Sequence, residues 1–449
     1  MARRRRYPGP LQRKRPCGHD GRQLGGSVPD SYSAPPWLPP SVMRMTIEIR
    51  PATDAEMGQL GLLTSYVYGG AFGDGMDNVP ATSNRAEWTL CAFDGARMVA
   101  SYGAIPFTMR ANGNAMAMAG VSVVGTLPEY RRRGLLRRIT ELSFQRMREA
   151  GQPVAALWAS QAAIYQRYGY SRGSLLRHYG LNAADAQLLP SAGPDLPVTR
   201  HSAAEAFDVM REVYRQFIAR RTLYLHRAKP LWHAGVLRED AALGPVHVAV
   251  CRDAAEQPRG YVAYTLRAGR VDHPARGQEL VVRDLVWLDI DACRALWEFL
   301  ARHDLVGRIA WRNAPADDPA PELFVEPRML QARETEGLWF RVVDVERALA
   351  GRGYDAEGEV VLGIPADRET PWNEGTYRLS VSGGDVRVTR TTKPAEVTVP
   401  IKALSSAFTG FQRMRQLANW GLVSGDERAI ARADALLATR YSPHCPDHF

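Results

Sequence analysis

Cysteine is scarce in this chain. The 449 residues carry five, at Cys17, Cys91, Cys251, Cys293 and Cys445, scattered and never in CxxC spacing. That excludes a disulfide framework and a structural zinc site, and it suits a reducing, cytoplasmic setting. No run of 18 apolar residues occurs, so no transmembrane helix is expected. The basic start, MARRRRYPGPLQRKRP, is followed by no apolar h-region, so no secretory signal is readable. HExxH, Walker and GxSxG motifs in their proper contexts are missing too. His444, Cys445, Asp447 and His448 are of metal-ligand type, but four ligands within five residues wrap one tetrahedral ion poorly. No metal is expected.

Acidic residues are outnumbered, yet the excess is local. The formal net charge is +9, and residues 1–45 hold nine Lys/Arg against two acids, leaving the rest of the chain near +2. A nucleic-acid-binding fold would carry its basic footprint on the globular part, so no nucleic-acid partner is expected. Residues 1–44 also contain eight prolines, five glycines and no apolar periodicity. They read as a disordered basic leader, with Met43 or Met45 as alternative starts.

What is present is 45% hydrophobic, enough to bury several cores. Thr53 and Glu56 have capping-box spacing and should start a helix. Trp88–Phe93, Met98–Met109 and Ala115–Gly125 read as strands, with Asp94-Gly95 and Asn112-Gly113 as hairpin turns. A helix is expected from about Arg132 to Ala150, then a buried strand Val154–Ala159 and a helical turn at Ile164–Tyr168. The order strand, strand, strand, helix, strand recurs between Val246 and Trp311. A third unit begins near residue 335, with the helices Ala403–Phe411 and Asp426–Ala438.

The most informative stretch is VSVVGTLPEYRRRGLLRR, Val121 to Arg138. A buried strand turns into a helix beside Arg131, Arg132, Arg133 and Gly134. Unpaired N–H groups at a helix N-terminus hold pyrophosphate well, Gly134 admits close backbone approach, and arginines add charge-assisted hydrogen bonds. At the corresponding place in the second unit stand Leu288-Asp289-Ile290-Asp291, whose two acids would repel phosphate.

RRRGLL after VVGTLPEY resembles the acetyl-CoA motif of the GNAT acetyltransferases, Gln/Arg-x-x-Gly-x-Gly/Ala, departing from it at Leu136. LPEYRRRGLLRR, with PVAALWASQAAIYQRYGY at Pro153–Tyr170, resembles the enhanced-intracellular-survival (Eis) family over about residues 45–449. The resemblance implies an α+β/α/β architecture of tandem GNAT folds, each a mixed twisted sheet with flanking helices, followed by a sterol-carrier-protein-like α+β domain. The expected division is a leader at 1–44, a catalytic GNAT domain at 45–183, a GNAT-like domain without cofactor at 184–332, and a third domain at 333–449 ending in the active site. Acetyl-CoA contacts are implied at Val124, Gly125, Thr126, Arg132, Arg133, Gly134, Leu135, Leu136, Arg137, Ser160 and Gln161, the last being a Glu in the family pattern. Tyr165 is implied as general acid, with Tyr168 or Tyr170 as alternatives, and the Phe449 carboxylate as general base.

The implied reaction is direct acetyl transfer to a primary amine, such as an aminoglycoside-like drug, a polyamine or a lysine side chain. Asp74, Asp77, Glu87 and Asp447 are acids that could attract such an amine, although each taken singly reads first as an ordinary solvated loop acid. The implied assembly is a homohexamer, a trimer of dimers, away from membranes. The rival expectation is a non-catalytic acyl-CoA or lipid-binding protein built on the sterol-carrier-like domain.

Overall fold

The computed structural model describes residues 47–70, 85–239 and 244–449. The leader and two of the candidate acids, Asp74 and Asp77, lie outside the described residues. Among the described residues no helix is long and apolar enough to cross a membrane. Cys91, Cys251, Cys293 and Cys445 are free and buried.

The first unit runs β1 (Glu48–Arg50), α1 (Met57–Val67), β2 (Cys91–Asp94), β3 (Arg97–Ala111), β4 (Asn114–Thr126), α2 (Leu135–Glu149), β5 (Val154–Leu157), α3 (Ala162–Tyr165) and β6 (Ser171–Arg172). The second runs β7 (Leu175–Asn182), β8 (Val198–His201), α4 (Ala203–Ile218), α5 (Lys229–Ala234), β9 (Val246–Arg252), β10 (Pro258–Arg267), β11 (Gln278–Trp287), α6 (Ile290–Ala301), β12 (Val306–Ala314), α7 (Ala320–Leu323) and β13 (Arg333–Glu336). The third runs β14 (Trp339–Val342), α8 (Val345–Gly351), β15 (Gly358–Ile364), β16 (Gly375–Ser382), β17 (Asp385–Arg390), β18 (Val397–Thr398), α9 (Ile401–Phe408), α10 (Met414–Asn419), β19 (Ser424–Gly425) and α11 (Glu427–Leu437).

Three sheets result. The first has the order β1-β2-β3-β4-β5-β14-β6, the second β13-β7-β12-β11-β10-β9-β8, and the third β17-β16-β15-β18-β19. The expected internal repeat is visible in the pairing: β2, β3 and β4 are antiparallel and β4 runs parallel to β5, as β9, β10 and β11 are antiparallel and β11 runs parallel to β12.

The strands do not divide at the expected boundaries. Leu175–Asn182, placed with the first unit, pairs instead with β12 and β13 of the second sheet. Trp339–Val342, placed with the third, inserts between β5 and β6 of the first sheet. Apolar periodicity marks a strand but not which sheet accepts it. The buried Arg341 of β14 fastens the insertion: its Nε donates to the Tyr168 carbonyl at 2.8 Å and a terminal nitrogen meets Asp367 at 2.6 Å.

The Thr53–Glu56 capping box forms as expected and opens a short 3-10 turn that leads into α1. Helix α4, unforeseen, opens on a second such box, Ser202 with Glu205.

Candidate active site

Strands β4 and β5 stay paired from Met118↔Val154 to Val121↔Leu157 and then part. A bulge in β4, in its pairing with β3, follows directly on the last β4–β5 pair. Ser101 faces Gly125 and Gly103 faces Ser122, so one extra residue is accommodated there. Val123 within it has φ +48°, a conformation a β-branched residue adopts only when its surroundings impose it. Those surroundings are visible. Ser101 Oγ donates to the Val123 carbonyl at 2.6 Å, and Tyr68 Oη donates to the Val124 carbonyl at 2.9 Å. A Cβ on Gly125 would stand 2.7 Å from Leu63 of α1, so glycine here lets that helix pack without moving the leucine.

The Arg-rich turn lies beyond the strand end. Arg132 and Gly134 both have positive φ, +61° and +76°, so the helix starts at Leu135 rather than at Arg132 as expected. Arg131, Arg132, Arg133 and Gly134 form the approach to the helix and are exposed. Leu135, Leu136 and Arg137 form its first turn, and no side chain among the described residues caps that turn. Nothing lies within 4 Å of where a Gly134 Cβ would stand. Arg137 is half-buried, and its Nε has no hydrogen-bond partner. An uncapped helix start, an open glycine and an unpaired guanidinium nitrogen fit a pyrophosphate.

The second unit makes the contrast. Asp289 caps α6, accepting from the Ala292 N–H at 2.9 Å, and its other oxygen accepts from Arg259 Nε at 2.9 Å. A carboxylate thus fills the place an anion would need.

Ser160 and Gln161 follow β5, exposed, and Gln161 leads into α3. Tyr165 ends α3. It is 6% exposed, with Tyr170 edge-on at 6.0 Å. Burial pushes the Tyr165 phenol above its usual range, Tyr68 and Tyr102 push it further, and a hydrogen bond with Ser160 opposes them. Burial also raises Tyr68, which shares the Ser160 contact. Tyr170 is 1% exposed, packed against Phe144. Burial raises Tyr168, against the opposing charges of Arg167 and Arg137. Of the three tyrosines, Tyr165 keeps the company of Ser160 and Tyr68.

The C-terminal tail reaches the same place. Trp158, first residue after β5, donates from Nε1 to the Asp447 carbonyl at 3.1 Å and stacks on His448 at 4.0 Å. The Phe449 ring lies 5.0 Å from Phe107. A Cβ on Gly120, one residue before the last β4–β5 pair, would come within 2.9 Å of the Phe449 ring.

Asp447 does not serve as a free acid toward an amine. Its side chain is 3% exposed and accepts from Arg227 Nε at 2.8 Å. Glu87 is exposed and pairs with Arg85 at 3.7 Å. The four metal-type residues of the tail diverge: His444 meets Tyr224, the Cys445 thiol meets the Asp447 carbonyl, Asp447 meets Arg227, and His448 meets Trp158. No group able to hold a metal occurs among the described residues. Tyr68, Phe107, Trp158 and Arg227 went unread in the sequence. No spacing marks them, because tertiary packing alone brings them together.

Comparison with known proteins agrees with this geometry. Residues 48–173 and 223–342 each match an acetyltransferase (GNAT) domain family, and residues 345–446 match the sterol carrier protein domain family. An uncharacterized N-acetyltransferase of Streptomyces coelicolor is 31% identical over 343 residues, 75% of this chain and 82% of that one. N-acetyltransferase Eis of Mycobacterium tuberculosis is 32% identical over 334 residues, 72% of this chain and 78% of its own. The crystal structure of Eis1 from Mycobacterium abscessus superposes with TM-score 0.77 at 27% identity, covering 90% of this chain and all of that one. A GCN5-related N-acetyltransferase of Anabaena variabilis shares the fold at TM-score 0.79 and 24% identity, with the same coverage.

Proposed function

Since the chain belongs to the Eis family of GNAT N-acetyltransferases, which use acetyl-CoA, we propose that it transfers the acetyl group directly to a primary amine. In this reading Tyr165 is the general acid and the terminal carboxylate of Phe449 the general base. The observation that carries it is the seat of Phe449 on β4 beside Gly120, at the point where β4 and β5 part. A chain end is ordinarily frayed, whereas here each of the last three residues has a packing or hydrogen-bond partner.

The chemistry follows from charge. An ammonium has no lone pair, so the amine must lose a proton before it attacks the thioester carbonyl. A carboxylate with a reference pKa of about 3.5 is a weak base in water, and desolvation strengthens it. The tetrahedral intermediate carries an oxyanion, which a backbone N–H of the β4 bulge near Val124 would stabilise without reorganising. As the intermediate collapses, the carbon–sulfur bond breaks and the thiolate takes a proton from Tyr165. Burial raises the Tyr165 phenol, so the proton is still on it when the thiolate leaves. The pyrophosphate would lie on the start of α2, held by the N–H groups of Leu135 and Leu136 and by Arg132, Arg133 and Arg137. Val124, Gly125 and Thr126 would border the pantetheine arm on one side, and Ser160 and Gln161 on the other. The proposal extends to a homohexameric assembly, which sedimentation equilibrium reads directly.

The test is thiol release from acetyl-CoA with a panel of aminoglycosides, polyamines and lysine peptides, on the native chain and on a version with one glycine added after Phe449. Activity in the native chain, lost in the extension while acetyl-CoA still binds, supports the terminal base. Equal activity in both removes Phe449 from the role. Silence of both on every amine favours a binding protein instead.

A further inference from the structure

The second sheet repeats the separation seen in the first. Strands β11 and β12 stay paired as far as Val282↔Trp311 and then part, and a register shift skips Arg283. Asp284 stands just beyond, and its Oδ2 accepts from Arg227 at 2.6 Å and from the Tyr261 hydroxyl at 2.7 Å. The same guanidinium donates from Nε to Asp447 at 2.8 Å. The three charged side chains are 1%, 8% and 3% exposed, and Arg227 lies over the Tyr214 ring at 4.1 Å. On the β12 side, Asn313 Nδ2 donates to the Pro446 carbonyl at 3.4 Å. The tail therefore lies at the separation of the second sheet at Pro446 and Asp447, meets Trp158 just past the last β4–β5 pair, and ends with the Phe449 ring on Gly120 beside that pair.

We infer that the separation of the second sheet has become a receptor for the chain's own C-terminus, with Arg227 as the positioning residue that sets where the Phe449 carboxylate stands. Asp289 already closes this unit's α6 to an anion. Two residues of extended chain span at most about 7 Å, so fixing Asp447 confines Phe449 to a small volume. One arginine between two carboxylates also fixes the angle of approach, since its planar fork directs each bond. A buried pair of this kind adds little net stability over apolar packing, but it specifies one arrangement.

This inference rests on the terminal carboxylate being the base. Its test measures kcat and the acetyl-CoA KM, with any amine the native chain acetylates, for Arg227→Met, Arg227→Lys, the neutral set Arg227→Met/Asp284→Asn/Asp447→Asn, and the one-glycine extension. Misplacing a reacting group by about 1 Å is worth up to roughly 100-fold in rate. The expected result is a kcat reduced about 10- to 100-fold in Arg227→Met with the acetyl-CoA KM unchanged, and partial recovery in Arg227→Lys. The neutral set leaves no buried charge unpaired, so it keeps the fold testable if Arg227→Met unfolds. It should melt like the native chain and remain slow. Native kcat in the neutral set, or a loss seen only in KM, overturns the positioning role. If the extension is inactive and Arg227→Met is fully active, this inference alone falls. If the extension is fully active, the terminal base falls and this inference with it.

Discussion

The rings of Phe107 and Phe449 meet 5.0 Å apart over Gly120, where a Cβ would stand 2.5 Å from one ring and 2.9 Å from the other. Gly120 is thus the floor on which the last residue of the chain rests. Gly120→Ala should displace this ring pair, Phe107 directly and Phe449 with it, because the added methyl would overlap both. The expected outcome is a kcat lowered about tenfold with acetyl-CoA binding retained, since displacement rather than loss of a group is involved. Steady-state kinetics against one accepted amine checks this. An unchanged kcat would mean that the terminal ring does not fix the carboxylate.

Tyr165→Phe removes one hydroxyl from a buried ring and leaves the packing against Tyr170 intact. General acid catalysis is typically worth 100-fold or more, so kcat should fall by at least that, with little change in acetyl-CoA KM. Burial raises Tyr165, so its proton stays in place as pH rises. At saturating amine, kcat of the native chain should therefore show no alkaline loss up to about pH 9. A fall below that pH would assign the proton to another group.

Much of this was legible in the sequence because it is written in local pattern. Hairpin turns, the Thr53–Glu56 capping box and the Arg-rich turn before α2 each depend on neighbours a few residues apart. The helix start was placed three residues early because nothing in RRRG announces that Arg132 takes positive φ. The Val123 bulge, the Tyr68 hydrogen bond and the tail's course depend on contacts tens to hundreds of residues apart, as from Trp158 to Asp447. Asp447 read as a free acid because an unpaired aspartate and a buried, paired one look alike in sequence.

Gly134→Ala separates backbone strain from phosphate binding. The position has φ +76° and nothing within 4 Å of the added Cβ, so the fold should lose only about 1 kcal/mol, from the left-handed backbone. The same methyl would project into the space a pyrophosphate needs. Acetyl-CoA KM should rise about tenfold with a much smaller change in kcat, as expected of binding lost equally from ground and transition states. Isothermal titration with CoA reads the affinity directly, and an unchanged Kd would move the pyrophosphate away from this turn.

His444 links the tail to pH. It is 1% exposed against Tyr224, and burial pushes its imidazole down to about 3, with backbone contacts to Leu175 and Asn313 opposing the shift. In the unfolded chain the reference is about 6.5. Between those values the unfolded state binds more protons than the folded one. Stability is therefore complete above about pH 6.5 and is lost as pH falls toward 3, at up to about 1.4 kcal/mol per unit. From pH 7 to pH 5 the native chain should lose about 2 kcal/mol more than His444→Gln, whose side chain does not titrate. Urea unfolding of both at the two pH values gives the difference. Equal losses would mean that His444 keeps an ordinary pKa, and hence that the tail is open to water at this position.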